Sequence, residues 1–364
     1  MDGLAALQPS AGVAYDALRG LRPTLAKDPS ILLSAGSTFG LHPNLSTLKA
    51  LFDEGSAAAI LNVGCKNMSR SHLEAEIVLT RAVPDFRSAS SAGLINRIGS
   101  EYGWTSLRAL GVTGDDPIFA GGDYRAVQAR SLDDLYFRAF DGNYHAVDQL
   151  VGTMYDFAAG AELDATKVSQ KEYVTNLATV INNTDAIQDG VKGTTLASSY
   201  AQNQFGKAFR SAEIALRAPQ IGSQVVYMRP SGFDTHSAQA ARIDDLFSQF
   251  NAALGVFVSN IKSAGLWGDM IILVISEFGR TSAENGSAGT DHGGANVVFT
   301  LGGRVNGGVV IGGVTSTQLT SIGWLQPVYN YAEVYRQVLA PLGIDPNKIV
   351  PVTEGPSLSG LFKG

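Results

Sequence analysis

With 364 residues, 45% of them hydrophobic and only 16% charged, the chain can bury a large core and reads as a folded globular protein. A formal net charge of -6 gives no basic field for a phosphate backbone, and no cluster of Lys and Arg alternates with aromatics, so nucleic acid is not expected as a partner. No apolar run approaches the roughly 20 residues that span a bilayer, no charged and apolar leader stands at Met1, and lone Cys65, ending an apolar run, is expected in the core.

In chain order, residues 15–27 carry a helical pattern and 31–34 a short strand. His42-Pro43-Asn44-Leu45 opens a helix, with Pro43 at the first helical position, Leu45, Leu48 and Leu51 on the apolar face, and Gly55 as the stop. His42 reads as an ordinary helix-entry residue. Residues 57–63 (AAAILNV) form an unbroken apolar run, which predicts a strand covered on both faces and hence a parallel sheet beneath helices. Its exit carries Ser69-Arg70-Ser71-His72, followed by a helix over 72–81. Such a turn can expose a hydroxyl nucleophile or bind an anion, because the first N–H groups of the helix are unpaired. The alternative is that Ser71 merely caps the helix, with Glu74 completing a capping box.

Residues 91–220 are mainly helical in pattern, with elements at 132–140, 145–158 and 165–187, a break near 190–195, and strand-like pieces at 109–112 and 126–129. The α/β alternation resumes with a strand over 224–228 that leads to Asp234-Thr235-His236. A long helix follows, marked by Ile243, Leu246, Phe247, Phe250, Leu254, Phe257, Val258 and Ile261 at three- and four-residue steps and closed by Gly265. A buried strand over 270–275 then delivers Glu277 and a loop running through Asp291-His292-Gly293-Gly294. A strand over 296–301, a Gly-rich hairpin around 302–308, a strand over 309–311 and an amphipathic helix over 329–339 complete the pattern.

Three polar loops therefore stand at strand ends, where open α/β sheets bind their ligands. Together they collect His72, Asp234, His236, Glu277, Asp291 and His292. Imidazoles mixed with carboxylates suit Zn, Mn or Fe, and such a metal can polarise an anionic ester while activating water or a hydroxyl.

Phe233-Asp234-Thr235-His236, Ser276-Glu277-Phe278-Gly279-Arg280, Glu284-Asn285-Gly286 and Gly289-Thr290-Asp291-His292-Gly293-Gly294-Ala295-Asn296, together with Leu41-His42-Pro43, Ser69 to His72 and Tyr331-Ala332-Glu333-Val334-Tyr335, resemble the DUF1501 family, a group within the alkaline-phosphatase-like superfamily. The resemblance spans almost the whole chain. It implies a three-layer α/β/α sandwich around a mainly parallel sheet, with residues 1–364 forming a single domain that carries a mostly helical insertion at about 130–220. The superfamily implies metal-dependent hydrolysis of a small anionic phosphate or sulfate ester, a divalent metal such as Zn or Mn, and export to the periplasm. A second reading keeps the fold without the reaction, as a binding or assembly protein with a degenerate metal site.

Carried onto this chain, Asp234 and His236 resemble the superfamily's Asp and His ligand loop, and Asp291-His292-Gly293 resembles the loop supplying a further His. Asp2 resembles the Asp ligand at the end of the first strand, and His72 and Glu277 complete the candidate metal set. Ser69 or Ser71 stands where the nucleophile is expected, and Arg70 or Arg280 would offset charge on the ester oxygens. Metal-dependent relatives carry an Asp-His pair where this chain has Glu277-Phe278, and Phe278 offers no donor, so a complete two-metal site is not expected. Relatives also carry a twin-arginine export signal and an apolar first strand ahead of the Asp-Gly dipeptide, so this sheet is expected to lack that strand or to borrow one.

Overall fold

The structure, a computed structural model, describes residues 1–67, 69–84, 87, 92–135 and 168–363. A small antiparallel sheet joins β1 (Leu7–Pro9), β2 (Leu33–Ala35) and β3 (Phe39–Leu41) in the order β1-β3-β2. The largest sheet is built on β4 (Ala57–Gly64), and a small parallel sheet combines β5 (Ala109–Gly111), β6 (Val127–Gln128) and β7 (Val225–Tyr227) in the order β6-β5-β7. The remaining strands, β8 (Ile272–Val274), β9 (Asn296–Leu301), β10 (Val309–Ile311) and β11 (Tyr329–Asn330), complete the largest sheet in the order β10-β4-β9-β8, with β11 also on β4.

All eight residues of β4 are buried, as an unbroken apolar run demands when helices cover both faces. Ala57, Ala59 and Leu61 pack with the helices Ser46–Asp53, Gln204–Arg217 and Gln239–Ser263. Ala58 and Ile60 pack with His72–Arg81, Leu94–Glu101 and Tyr331–Leu339 on the other face, and an irregularity between Ile60 and Val63, with Asn62 at positive φ, turns Val63 to that face too, joined by Cys65. The two-residue period of a strand thus yields two apolar layers from one sequence run.

The expected mainly parallel sheet is corrected by the pairing. β4 is parallel to β10 and β11 but antiparallel to β9, and β9 is antiparallel to β8 as well. Parallel neighbours need a connection that crosses back along the sheet. The polar loop after β8 stays at one end instead, so β9 must run back. The 302–308 segment is likewise not a hairpin, because β9 and β10 lie on opposite sides of β4. It crosses the end of β4 so closely that a Cβ on Gly307 would sit 2.5 Å from the Ala57 backbone nitrogen.

Several boundaries move for local reasons. The first long helix is Gly12–Leu21 rather than 15–27, because Pro23 cannot continue it. Helix Ser46–Asp53 starts after the expected Pro43 entry, and His42 is buried with Nε2 2.9 Å from Asp244 Oδ1. β8 is only half-buried, in contrast to the expected buried strand, because it lies at a sheet edge. The last amphipathic helix begins at Tyr331, with the Asn330 side chain accepting from the Ala332 N–H, and Tyr329–Asn330 is strand. Of the helical expectations, 145–158 lies outside the described residues, 132–140 is described only to 135, with a short turn at Leu132–Asp134, and 165–187 is described from 168 as Val168–Gly193. Among the described residues no helix is long and apolar enough to cross a membrane.

One buried ion pair ties the first residues to the loop that follows β8. Arg22 donates to Asp2 at 2.7 Å and to the carbonyl oxygens of Ser282 and Thr281 at 2.9 and 2.6 Å. Both charged side chains are only 1% exposed. Removing one partner of a fully buried pair strands the other charge, which costs about 3–5 kcal/mol. Arg22→Met is therefore expected to lower stability by about that amount in urea unfolding; an unchanged midpoint would show that Asp2 finds solvent or another partner.

Candidate metal centre

Three strand ends build the cluster. β4 leads through Ser69-Arg70-Ser71 to His72 at the start of its helix, β7 leads to Asp234 and His236, and β8 leads to Glu277 and the loop bearing Asp291 and His292. Loop and loop are stitched by an Arg280 to His292 bridge, with Thr281 N–H donating to the Asp291 carbonyl at 2.9 Å and Gly279 N–H to the Gly294 carbonyl at 2.7 Å. Glycine is required where these backbones touch: a Cβ on Gly293 would lie 2.3 Å from the Arg280 carbonyl oxygen.

The Nδ1 atom of each cluster histidine faces an oxygen. His72 Nδ1 is 2.8 Å from Glu277 Oε1, His236 Nδ1 is 2.9 Å from Asp291 Oδ1, and His292 Nδ1 is 2.7 Å from the Arg70 carbonyl oxygen. A carbonyl only accepts, and so does an ionised carboxylate, so the single N–H of each neutral imidazole belongs on Nδ1. The Nε2 lone pairs are left pointing inward. His236 and His292 Nε2 stand 3.0 Å apart, and they lie 3.0 and 3.1 Å from Asp234 Oδ1. His72 Nε2 is 3.5 Å from Asp234 Oδ2.

That donor set fits a divalent metal. Ligands about 2.0–2.1 Å from one tetrahedral ion stand about 3.3 Å apart; the His236 and His292 Nε2 atoms and Asp234 Oδ1 are mutually 3.0–3.1 Å apart, and His72 Nε2 is 3.5 Å from the other Asp234 oxygen, Oδ2. Donor atoms of His72, Asp234 and His292 all lie within 4.8 Å of one another. Three imidazoles with one carboxylate suit Zn, Mn or Fe.

Partial burial alone would raise the Asp234 pKa. Hydrogen bonding and charge from Arg280, with help from His292 and His236, override this and hold the carboxyl well below the usual range. Burial also opposes ionisation of Glu277, but the N-terminal ammonium, the Ser276 hydroxyl and His72 bring it down to about 2. Asp291 is lowered by hydrogen bonds from His236 and Asn285.

The sequence-derived candidates separate into distinct places. His72, Asp234, His236 and His292 converge. Glu277 and Asp291, expected as ligands, sit behind histidine rings and receive their Nδ1–H groups. Asp2 is committed elsewhere: it caps the short helix Gly3–Ala6, and its carboxylate accepts from Leu4, Ala5, Arg22 and Gln239. Arg280 is only 3% exposed and donates to Asp234 and to the Phe233 and Thr290 carbonyls, and its Nη1 also stands 3.5 Å from His236 Nε2, so it faces the cluster from behind rather than an ester. Arg70 is exposed, with its guanidinium 4.4 Å above the Trp324 ring. Ser71 occupies the N-cap position without a side-chain cap bond, so the capping box does not form, and Ser69 Oγ accepts from the Ser71 N–H at 3.1 Å.

Three contributors had no assigned role in the sequence. Phe278 is buried beneath the cluster, its ring centroid 4.9 Å from His72 and 4.6 Å from His292. Asn285 donates to the His236 carbonyl and to Asp291 at 3.0 and 3.1 Å, and its place in the Glu284-Asn285-Gly286 motif was the available signal. Trp324, which supports Arg70, comes from a distant segment that carried none.

The family described as protein of unknown function (DUF1501) matches residues 32–358. The chain belongs to the DUF1501 family. No curated protein matches it. Among solved structures, it is similar to the phosphonate monoester hydrolase SpPMH from Silicibacter pomeroyi, at 12% identity and a TM-score of 0.33, over 86% of this chain and 71% of that one.

In this DUF1501 chain the loop glycines fix where His292 stands. Gly293→Ala is expected to push the His292 segment off Arg280 and weaken zinc binding at least about tenfold, the scale of losing a supporting contact, while far-UV circular dichroism is retained. Wild-type affinity in a competition titration with a chromophoric chelator would contradict this role.

Proposed function

We propose that the protein is a metal-dependent hydrolase of small phosphate or sulfate esters. The observation that carries this reading is the orientation of the three imidazoles, each donating from Nδ1 to a fixed oxygen and turning its Nε2 lone pair toward Asp234. His72, Asp234, His236 and His292 would hold the ion, Zn or Mn by ligand type. A divalent ion in that position supplies Lewis-acid polarisation of an anionic ester and activation of a water or hydroxyl.

The chain's own residues supply the rest. Arg280 keeps Asp234 ionised and directed inward. Glu277 and Asp291 fix the tautomers of His72 and His236, the outer-partner arrangement that raises imidazole basicity. Phe278 closes the rear of the cluster to water. On the open side, the Arg70 guanidinium can receive ester oxygens, and its stacking on Trp324 limits the freedom it loses in doing so. Ser69 and Ser71, on the turn before His72, are the hydroxyls available for attack, and the Ser71 hydroxyl is not spent on helix capping.

A binding or assembly role without turnover is the second reading. It is favoured by Phe278, which occupies with hydrocarbon the place where a second set of ligands would be needed.

Protein purified without chelator is expected to contain about one equivalent of Zn or Mn and to hydrolyse p-nitrophenyl phosphate or sulfate. Asp234→Ala and His292→Ala should each lower kcat/KM at least about 100-fold, as loss of a ligand exceeds loss of an outer partner. Metal-loaded protein without turnover on either ester would favour the binding role, and wild-type turnover in both variants would overturn the site assignment.

A further inference from the structure

The helix Gln239–Ser263 starts three residues after His236, and its first backbone groups reach the second ligand loop. The Ala238 N–H donates to the Ser287 carbonyl at 3.0 Å and the Gln239 N–H to the Ala288 carbonyl at 2.9 Å. The Gln239 side chain is buried and joins the two ligand loops again. Its amide oxygen accepts from Thr235 Oγ1 at 3.0 Å and from Thr290 Oγ1 at 2.6 Å, while its amide nitrogen donates to Asp2 Oδ2 at 2.6 Å. Thr235 stands between Asp234 and His236, and Thr290 directly precedes Asp291-His292.

Donor and acceptor chemistry fixes the polarity of this junction. Asp2, ion-paired with Arg22, only accepts, so the Gln239 nitrogen faces it and the oxygen faces the threonines. That oxygen has two lone pairs, and the two hydroxyls use both. Asp2, Thr235 and Thr290 are fully buried, so water does not compete for these bonds. A glutamate in place of Gln239 would set a second carboxylate against Asp2 and give up the donor.

We propose that Gln239 is a positioning residue: its single amide oxygen, anchored by the Asp2–Arg22 pair, sets the spacing between the loop bearing Asp234 and His236 and the loop bearing Asp291 and His292. Thr235 adjoins both Asp234 and His236, and Thr290 is two residues from His292, so a shift of either hydroxyl is passed along the backbone to a ligand. The Thr290 N–H also donates to the Thr235 carbonyl at 3.2 Å, which brings both hydroxyls to one acceptor. Arg22 extends the anchor to the Thr281 and Ser282 carbonyls in the second loop. The spacing is a property of the chain alone, and its consequence for zinc affinity rests on the metal centre proposed for the cluster.

Hydrogen exchange read by mass spectrometry on the metal-free protein tests the coupling, and a zinc titration tests its consequence. Thr290→Val keeps the side-chain shape and removes one donor, whereas Thr290→Ser keeps the donor. Thr290→Val is expected to speed exchange about tenfold or more in the other loop, residues 233–237, as well as in its own, and to weaken zinc binding about tenfold or more. Thr290→Ser is expected to match the wild type in both readings. In a Gln239→Met background the valine substitution is expected to add nothing, because the shared oxygen is already gone. Thr235→Val, read at residues 289–293, gives the reciprocal measurement with Gln239 intact. Tyr200→Phe removes a buried hydroxyl donor from Glu213 in a separate network and is expected to leave both readings unchanged. Faster exchange confined to the substituted loop, or the same Thr290→Val effect with and without Gln239, would overturn the proposal. Cross-loop exchange in a protein that binds no zinc would uphold Gln239 as the spacer and strike the metal centre instead.

Discussion

The site depends on the destinations of three protons. A neutral imidazole has one N–H, and in this protein Glu277, Asp291 and the Arg70 carbonyl take those of His72, His236 and His292. The Nε2 atoms of His236 and His292 are then left within 3.0–3.1 Å of each other and of Asp234 Oδ1, with His72 Nε2 3.5 Å from Oδ2, an arrangement of acceptors that positive charge stabilises. Arg280 supplies part of that charge to Asp234 from behind. In the proposed site a divalent cation would supply the rest, held by His72, Asp234 and His292, the three whose donor atoms lie within 4.8 Å of one another, with His236 beside them.

The fold's contribution is to bring those proton acceptors to one edge. β4 exits into the turn that offers both the Arg70 carbonyl and His72, so one connection supplies a ring and the acceptor for another. The antiparallel β8 and β9 pair makes its connecting loop start and finish at the same end of the sheet, and that loop carries Glu277, Arg280, Asp291 and His292. Arg22, Asn285 and the glycine contacts pin the loop from different directions. Ligand precision thus comes from backbone-to-backbone stitching as much as from side-chain choice.

Much of this was legible in the sequence, but not at the level of individual roles. Apolar runs ending in polar residues located His72, Asp234, His236 and His292, and the four converge. Ligand and supporting carboxylates could not be told apart, because the composition of Asp291-His292 is the same whichever side chain faces the ion. Asp2 was misplaced because a dipeptide carries no information about Arg22, which lies in a separate helix-end turn and claims its charge. The run over 57–63 correctly indicated a strand covered on both faces, whereas strand direction is set by the path of the connections and not by hydrophobicity. Phe278 read as a lost ligand; in the folded chain it is also the floor on which two histidine rings rest.

The most direct test is zinc-edge X-ray absorption on the zinc-loaded protein. The convergence of His72, His236, His292 and Asp234 predicts a first shell of three nitrogens and one or more oxygens at about 2.0–2.1 Å, with the outer scattering pattern of three imidazoles. A shell of oxygens alone, or one with a single imidazole, would contradict the assignment of the inward Nε2 atoms as ligands.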